Sequence, residues 1–195
     1  MVEHDLAGNR DAYLVDVSGD VPGTPERINA ALVPGGEVDT IVFAPDASYV
    51  YYAAFQDQLA RELYRAPITD AAPGIPEKVS GELVDNGQVS GEMRFSNDGT
   101  LMAYTANQDV PARQELYLVE LTERLAEPVR INPDLPGVDE VQFGVRFSSD
   151  DTAILYQTQG NAGSRTLWLE DRTDGLENPV LITERVFGYA ALPTE

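Results

Sequence analysis

Histidine and cysteine, the side chains that most often act as general bases or nucleophiles, are nearly missing from this sequence. Among 195 residues there is one histidine, His4, and no cysteine. A Ser-His-Asp triad needs its histidine within hydrogen-bond reach of the serine, and residues at a chain end are often poorly ordered. Without cysteine the chain has no disulfides, thiolate zinc sites or cysteine nucleophiles. We therefore expect no catalytic residue of these types.

Carboxylates are the abundant reactive groups, and three pairs are adjacent in sequence: Asp139-Glu140, Asp150-Asp151 and Glu170-Asp171. A glycosidase requires two carboxylates at a set separation, one of them with a raised pKa. With 33 acidic residues in the chain, adjacent pairs arise by chance. The stretch 171–175 lacks the alternating ligands and the distal glutamate of a calcium loop. The sequence therefore predicts no catalytic residue, no metal site and no cofactor.

The charge of the chain disfavours two classes of partner. The formal net charge is −20, and Lys78 is the only lysine among 13 basic residues. Such a field repels nucleic acid and anionic membrane surfaces. No apolar stretch approaches the length of a membrane-spanning helix. We therefore predict no nucleic-acid binding and no membrane insertion.

A repeat with a period of 52 residues extends along the chain. Its first element is a phenylalanine, followed three residues later by aspartate and nine residues later by tyrosine. A serine or threonine occupies the fifth position after each phenylalanine, and in one copy glycine follows the aspartate. The residues are Phe43, Asp46 and Tyr52; Phe95, Asp98, Gly99 and Tyr104; and Phe147, Asp150 and Tyr156.

Two further elements recur four times in the same phase. One has arginine or glutamine three residues before an aromatic residue, which is Tyr13, Tyr64, Tyr117 or Trp168. The other begins with proline, at Pro25, Pro76, Pro128 and Pro179. In three of the four copies of the first element, the residue three positions before the aromatic residue is an arginine: Arg10, Arg61 and Arg165. We predict that these arginines lie on one rim of the fold, where they pair with carboxylates or contact a ligand.

Each repeat divides into four short strands, A to D. Strand A runs into the phenylalanine, as in 38–43 and 141–147, and strand B contains the tyrosine, as in 101–106. Strand C alternates between apolar and polar residues, as in 115–121, and strand D follows the proline. Four strands in about 50 residues predict an all-β propeller of four-stranded antiparallel blades. A β-sandwich is the alternative, but a sandwich does not require an in-phase repeat.

The repeat resembles a known family at its turn and in its third strand. The segments Phe43-Ala44-Pro45-Asp46-Ala47 and Phe95-Ser96-Asn97-Asp98-Gly99, with Leu63-Tyr64 and Leu116-Tyr117 downstream, resemble the repeats of TolB-like (WD40-like) β-propellers. The family pattern is Phe-Ser-Pro-Asp-Gly at the turn and Leu-Tyr in a later strand. The first copy lacks the glycine, the second lacks the proline and the third lacks both. The resemblance covers nearly the whole chain and implies the propeller fold.

The same resemblance implies a function. TolB-like repeats occur in the envelope protein TolB and in the propeller domains of prolyl-oligopeptidase-like and tricorn-like peptidases. By resemblance to TolB we expect a non-catalytic module for protein or peptide interaction, periplasmic or envelope-associated, within a larger bacterial protein. The alternative is a substrate-gating propeller domain cut from such a peptidase. The N-terminus is acidic and has no apolar signal core, so a cytoplasmic location is also an alternative.

The repeat predicts one propeller domain over 1–195, with about 3.75 repeats. The units lie at approximately 1–32, 33–83, 84–135, 136–183 and 184–195, and the first and last are partial. Because blades bury their faces against each other, an open arc would expose an apolar face at each end. Three arrangements would cover these faces: further blades of a longer protein, a homo-oligomer that completes the ring, or a tight four-repeat ring closed by the two termini.

Overall fold

The computed structural model describes residues 2–4, 9–137, 139–142, 144–160, 164–173 and 180–184. Within these residues the chain forms seventeen strands and no helix. A search of the same residues for a helix long and apolar enough to span a membrane finds none. The strands form sheets of antiparallel neighbours, which we describe as blades 1 to 4 in chain order.

Blades 1 and 2 follow the predicted strand order. Blade 1 contains three paired strands: β1 (Val2–His4), β2 (Arg10–Leu14) and β3 (Glu26–Arg27). Blade 2 contains β4 (Val38–Phe43), β5 (Tyr49–Ala54), β6 (Glu62–Thr69), β7 (Ala72–Pro73) and β8 (Glu77–Lys78). The short strand β7 was not predicted. It forms a hairpin with β6 because Asp70 and Ala71 both adopt positive φ, at 51° and 61°, as a tight two-residue turn requires.

Blades 3 and 4 repeat the pattern. Blade 3 contains β9 (Val89–Phe95), β10 (Leu101–Ala106), β11 (Glu115–Glu120) and β12 (Val129–Arg130). Blade 4 contains β13 (Glu140–Val141), β14 (Arg146–Phe147), β15 (Ala153–Gln159), β16 (Arg165–Asp171) and β17 (Val180–Glu184). The prediction of one continuous strand at 141–147 is wrong. It is split into β13 and β14, and Gly144 between them has a φ of 105°, which interrupts the ladder.

The blades pack face to face, which explains why their central strands are buried on both sides. Every residue of β10 is buried, and alternate side chains of a strand point to opposite faces. Met102 and Tyr104 pack against blade 2, whereas Leu101 and Ala103 pack against blade 4. A third apolar cluster joins blades 1 and 2. The core is therefore a series of interfaces between blades.

The first strands of neighbouring blades converge at one edge, which we call the inner edge. β9 and β14 lie against each other there, where propeller blades surround their central axis. A backbone hydrogen bond also recurs between the first strand of one blade and the start of the third strand of the preceding blade. Val89 N–H donates to Arg61 O over 2.8 Å, and Val141 N–H donates to Gln114 O over 2.8 Å. The repeat thus places equivalent side chains of successive blades in equivalent surroundings.

Candidate interaction site at the inner edge of blades 3 and 4

The tyrosines of the repeat lie between blades. Tyr52 stacks on Tyr64 with ring centroids 5.5 Å apart, and Tyr104 stacks on Tyr117 at 5.6 Å. All four rings are buried, and each pair packs toward the preceding blade. These rings build the interblade core, so they offer no exposed surface on which a ligand could stack.

Blade 4 keeps this arrangement with different residues. Tyr156 lies opposite Trp168 in the strand register, and the indole Nε1–H donates to Thr158 Oγ1 over 3.0 Å. Phe147 packs against the same cluster, between blades 3 and 4. Its counterpart Phe95 contacts Tyr51 edge-on at 5.1 Å, between blades 2 and 3. The aromatic positions of the repeat thus serve packing in blades 3 and 4, whereas Phe43 in blade 2 is 51% exposed.

The repeated aspartate organises the turn between strands A and B. Asp150 Oδ1 accepts hydrogen bonds from Ser148 Oγ at 2.7 Å and from Thr152 Oγ1 at 2.8 Å. These hydroxyl groups, that of Ser148 above all, lower the pKa of Asp150 to about 2. Asp46 and Asp98 accept similar bonds in their own turns, and their pKa values are lowered as well. A carboxyl with a lowered pKa is a poor general acid at neutral pH.

The three predicted rim arginines belong to three different blades. Arg61, with a side chain 11% exposed, donates from Nε and Nη2 to the two oxygens of Asp39, each over 2.6 Å. Arg10 Nη1 lies 2.8 Å from Glu37, and Arg165 is exposed at the start of β16. Two of these three side chains thus pair with carboxylates, and each of the three lies in its own blade.

A buried carboxylate paired with a cation recurs in blades 2 and 3, and sequence reasoning missed it. Glu62 and Glu115 are fully buried. Lys78 Nζ lies 3.2 Å from Glu62, and Arg130 Nη1 lies 2.9 Å from Glu115. The sequence signal for these ion pairs was a basic residue two positions after the repeated proline. These pairs connect strand D to strand C in each blade, and breaking one would leave a buried charge.

Exposed positive charge collects at the inner edge, around a buried carboxylate. Glu92 on β9, with a side chain 6% exposed, accepts the Gly144 N–H over 2.9 Å. Its Oε1 lies 3.0 Å from Arg94 Nη2 and 3.9 Å from Arg146 Nη1. The side chains of Arg94 and Arg146 are 43% and 60% exposed. One carboxylate thus faces two guanidinium groups, so these three side chains together carry one net positive charge in a chain of charge −20.

Sequence reasoning also missed this arginine pair, although the repeat contains a signal for it. Arg94 and Arg146 each precede the repeated phenylalanine, and Val42 occupies the same position in blade 2. Because the first strands converge at the inner edge, residues in this phase meet across blades. Charged residues at the same repeat position in two consecutive repeats therefore indicate that their side chains lie close together at that edge.

A polar cavity of about 240 Å³ lies between blades 3 and 4. Its lining residues are Ser90, Thr105, Gln114, Glu140, Val141 and Gln142. Gln114 is the residue that replaces the rim arginine in blade 3. Its Oε1 is buried and has no hydrogen-bond partner. Buried polar atoms in folded proteins nearly always have a partner, so an unsatisfied one needs an explanation.

Two larger clefts show less specific chemistry. One, of about 470 Å³, lies between 77–82 and 123–128, and its Lys78 is already bonded to Glu62 and Glu82. The other, of about 320 Å³, combines four carboxylates with Arg172. In the part of the chain that the structure describes, no group of three or more metal-ligating side chains is suitably arranged. Positions 174–175 of the calcium-like stretch lie outside the described residues.

The carboxyl group of Glu170 has a raised pKa but lies in the core. Burial, and to a smaller extent the charge of Asp171, raises the pKa of Glu170 to about 7. The residue is fully buried, lies opposite Ile154 in the register, and both carboxylate oxygens have no partner. A general acid must reach its substrate. The position of Glu170 between packed strands therefore favours an effect on stability over a role in catalysis.

Comparison with protein-family models and with curated proteins gave no match. Solved structures do match. TolB from Acinetobacter baumannii is 20% identical, with a TM-score of 0.54, over 89% of this chain and 37% of that chain. A post-proline cleaving enzyme from Rickettsia typhi is 12% identical, with a TM-score of 0.56, over 93% of this chain and 25% of that one.

A third structure extends the likeness to another peptidase. The puromycin-hydrolyzing peptidase from Mycobacterium tuberculosis is 12% identical, with a TM-score of 0.58, over 93% of this chain and 31% of that chain. The chain thus spans well under half the length of each of these three proteins. Identities this low compare folds and carry no activity across. The predicted architecture of four-stranded antiparallel blades is confirmed, and the chain has the fold of a TolB-like β-propeller.

Proposed function

We propose that this chain is a non-catalytic propeller module that binds a protein or peptide, within a larger envelope-associated bacterial protein. The inner edge of blades 3 and 4 is the proposed contact surface. The resemblance of the repeat to TolB-like proteins supports the proposed envelope location. The partner presents a carboxylate to the guanidinium groups of Arg94 and Arg146.

The exposed arginine pair is the observation that carries this proposal. Arginine binds carboxylates through paired N–H donors, and both side chains keep substantial exposed surface. Glu92 lies within ion-pair distance of both groups, which extend from strands of neighbouring blades. A rigid scaffold that presents a few exposed charged groups is typical of a recognition surface.

A selection experiment tests the proposal. Peptides from a displayed random library are selected on the purified chain, and their affinities are measured by calorimetry. We expect the selected peptides to contain an acidic group or to bind through the terminal carboxylate. The double variant Arg94→Ala/Arg146→Ala should weaken their binding at least about tenfold, which corresponds to about 1.4 kcal/mol.

The matched control removes two positive charges at a distance from the inner edge. Arg27 on β3 and Arg124 are both exposed, so the variant Arg27→Ala/Arg124→Ala changes the net charge equally and should bind as the unaltered chain does. Peptides that bind both double variants equally well would contradict the proposed surface. Failure to select any peptide would contradict the proposed function.

A substrate-gating propeller of a peptidase is the second candidate, and its support is the repeat resemblance to prolyl-oligopeptidase-like and tricorn-like propellers. The full reading frame separates the two candidates. A downstream α/β-hydrolase segment with a Gly-x-Ser-x-Gly motif would favour the gating function. A frame without such a segment would favour the interaction module.

A further inference from the structure

The cavity between blades 3 and 4 has a filled counterpart between blades 2 and 3. There, Arg61 extends from the start of β6 toward the next blade. It donates to both carboxylate oxygens of Asp39, to Thr40 Oγ1 over 2.9 Å, and to the carbonyl oxygen of Val89. Val89 is the first residue of the neighbouring β9. One guanidinium group therefore occupies this interblade space.

The residues around the next interblade space differ from those around Arg61. In the phase of the repeat, Gln114 replaces Arg61, Gly91 replaces Asp39 and Glu92 replaces Thr40, while Val141 corresponds to Val89. Where the long arginine side chain is replaced by the shorter Gln114, there is a cavity of about 240 Å³. A water molecule takes up about 30 Å³ in the liquid. The space is therefore large enough for a group much larger than one water.

The unpartnered atom in this cavity is a hydrogen-bond acceptor. The amide Nε2 of Gln114 donates to Asn107 Oδ1 over 3.3 Å, and the backbone N–H of Gln88 donates to the same oxygen over 2.7 Å. Because Asn107 Oδ1 is held as an acceptor by Gln88, the Gln114 atom that faces it must be the amide nitrogen. The buried Gln114 Oε1 is therefore a carbonyl oxygen without a donor.

The other polar groups of the wall can also accept hydrogen bonds. Glu140 contributes a carboxylate, of which Oε1 accepts from Gln142 Nε2 over 3.0 Å. The hydroxyl groups of Ser90 and Thr105 are bonded to each other, so one of the two hydrogens is already used. Carbonyl, carboxylate and hydroxyl oxygens together match a planar cation with several N–H groups.

We propose that this cavity binds the guanidinium group of an arginine side chain supplied by the partner. The chain itself shows what fits, because Arg61 fills the equivalent space one blade earlier. The negative charge of the chain attracts a cationic group. The claim that a partner supplies the arginine rests on the proposed peptide-binding function. The claim that the cavity binds a guanidinium group does not.

A small probe tests the cavity without any partner. N-acetyl-arginine methylamide is titrated into the labelled protein and followed by two-dimensional NMR. We expect saturable shifts of the side-chain amides of Gln114 and Gln142 and of the backbone amide of Val141. The citrulline analogue has the same shape without the charge and should bind at least about tenfold more weakly, as should the lysine analogue. Equal binding of either analogue would overturn the proposal.

Two kinds of variant locate the binding. Gln114→Leu removes the unpartnered oxygen, and we expect at least a tenfold loss of probe affinity in a folded protein. Gly91→Asp/Gln114→Arg restores the arginine and its aspartate partner, so it should fill the cavity, abolish probe binding and raise the melting temperature. Unchanged probe binding in a folded form of either variant would overturn the proposal, as would the absence of saturable binding to the unaltered chain.

Two further comparisons separate this inference from general charge effects and from the proposed function. Glu140→Gln should weaken probe binding at least threefold, whereas Glu123→Gln, at an exposed residue outside this cavity, should not change it. Arg94→Ala/Arg146→Ala should leave probe binding unchanged. Probe binding without any selected peptide would support the cavity and contradict peptide binding. Selected peptides without probe binding would support peptide binding and contradict the inference about the cavity.

Discussion

Buried tyrosine hydroxyl groups have partners in blades 2 and 3 but not in blade 4. Tyr52 and Tyr104 each donate to the glutamine four residues later, over 2.8 and 2.9 Å. In blade 4 the glutamine position is Gly160, and the buried hydroxyl of Tyr156 has no hydrogen bond. A buried polar group without a partner costs free energy. The tyrosine hydroxyl group is thus stabilising in blade 3 and destabilising in blade 4.

We predict that removal of these two hydroxyl groups has different effects. Tyr104→Phe leaves Gln108 Oε1 without its donor and should lower the free energy of unfolding by about 1–2 kcal/mol. Tyr156→Phe removes a hydroxyl group that makes no bond, so it should not lower that free energy. Urea unfolding measures both effects. Equal losses in the two variants would contradict the difference between the blades.

Glu170 introduces a carboxyl group where the other blades are apolar. In the phase of the repeat, its position is occupied by Ala66 in blade 2 and Val119 in blade 3, and both of these residues are buried. The pKa of Glu170 is raised from 4.5 to about 7 by burial. Between these values the folded chain keeps a proton that the unfolded chain has released. Stability therefore falls as the pH rises from 4.5 toward 7.

We predict that Glu170→Val stabilises the chain, and does so more at alkaline pH. At pH about 8 the carboxylate is charged in both states, and its removal from the core should raise the free energy of unfolding by about 1–3 kcal/mol. At pH about 5 the gain should be smaller, because the folded chain then holds the neutral acid. Thermal unfolding at both values tests this. An equal gain at both, or the same pattern in exposed Glu123→Gln, would contradict it.

At the scale of the elements, one turn position shows how the blades differ. Ala47, Gly99 and Asp151 occupy the same place in the A–B turn and have φ values of 59°, 72° and 57°. Glycine adopts this left-handed conformation most easily, and aspartate adopts it better than most residues. Asp151 also accepts the backbone N–H groups of Asn97 and Asp98, over 2.8 and 2.9 Å. Blade 4 thus replaces the family glycine with a residue that ties its turn to blade 3.

We predict that Asp151→Asn loosens this connection. Asparagine tolerates the positive φ equally well, but its amide nitrogen cannot accept one of the two backbone N–H groups. The free energy of unfolding should fall by about 1 kcal/mol. Asp20→Asn, at an exposed residue, should cause no loss under the same urea titration. If Asp151→Asn behaves like the Asp20 variant, the two turns are not coupled.

At the scale of the whole molecule, apolar side chains remain exposed on blades 2 and 4. Ile41 and Phe43 are 40% and 51% exposed, although Met93 and Val145, the equivalents of Ile41, are 6% and 1% exposed. In the described residues, the sheet of blade 1 has no first strand to cover them. On blade 4, Leu181 is 42% exposed. Contiguous exposed apolar surface favours contact with another surface.

We predict that the chain associates with itself in solution. Sedimentation at micromolar concentration should give a mass above the 21.3 kDa of one chain, and the protein should bind a dye that reports apolar surface. Ile41→Thr/Phe43→Ser should reduce both signals, since it makes one exposed face polar. A monomer that binds no dye would contradict the prediction, and so would a variant with unchanged mass and dye binding.

The sequence alone determines most of the strand pattern and the blade architecture. Aspartates at the turns, prolines before the last strands and alternating apolar residues act locally, within one repeat. The 52-residue period then predicts that Tyr52, Tyr104 and Tyr156 occupy equivalent places, and the structure places each of them between blades. The split of the strand at 141–147 escaped prediction because it depends on contacts outside that strand, including the bond from Gly144 to Glu92.

Only the tertiary structure decides which repeated positions become sites. Arg94 and Arg146 lie a whole repeat apart and meet through Glu92 because two first strands converge at the inner edge. The cavity at Gln114 exists because residues of two blades leave a space that Arg61 fills one blade earlier. Local propensity defines each strand, whereas the space between blades depends on side chains distant in sequence. The fold can therefore be predicted from the repeat period of the sequence, whereas the candidate site cannot.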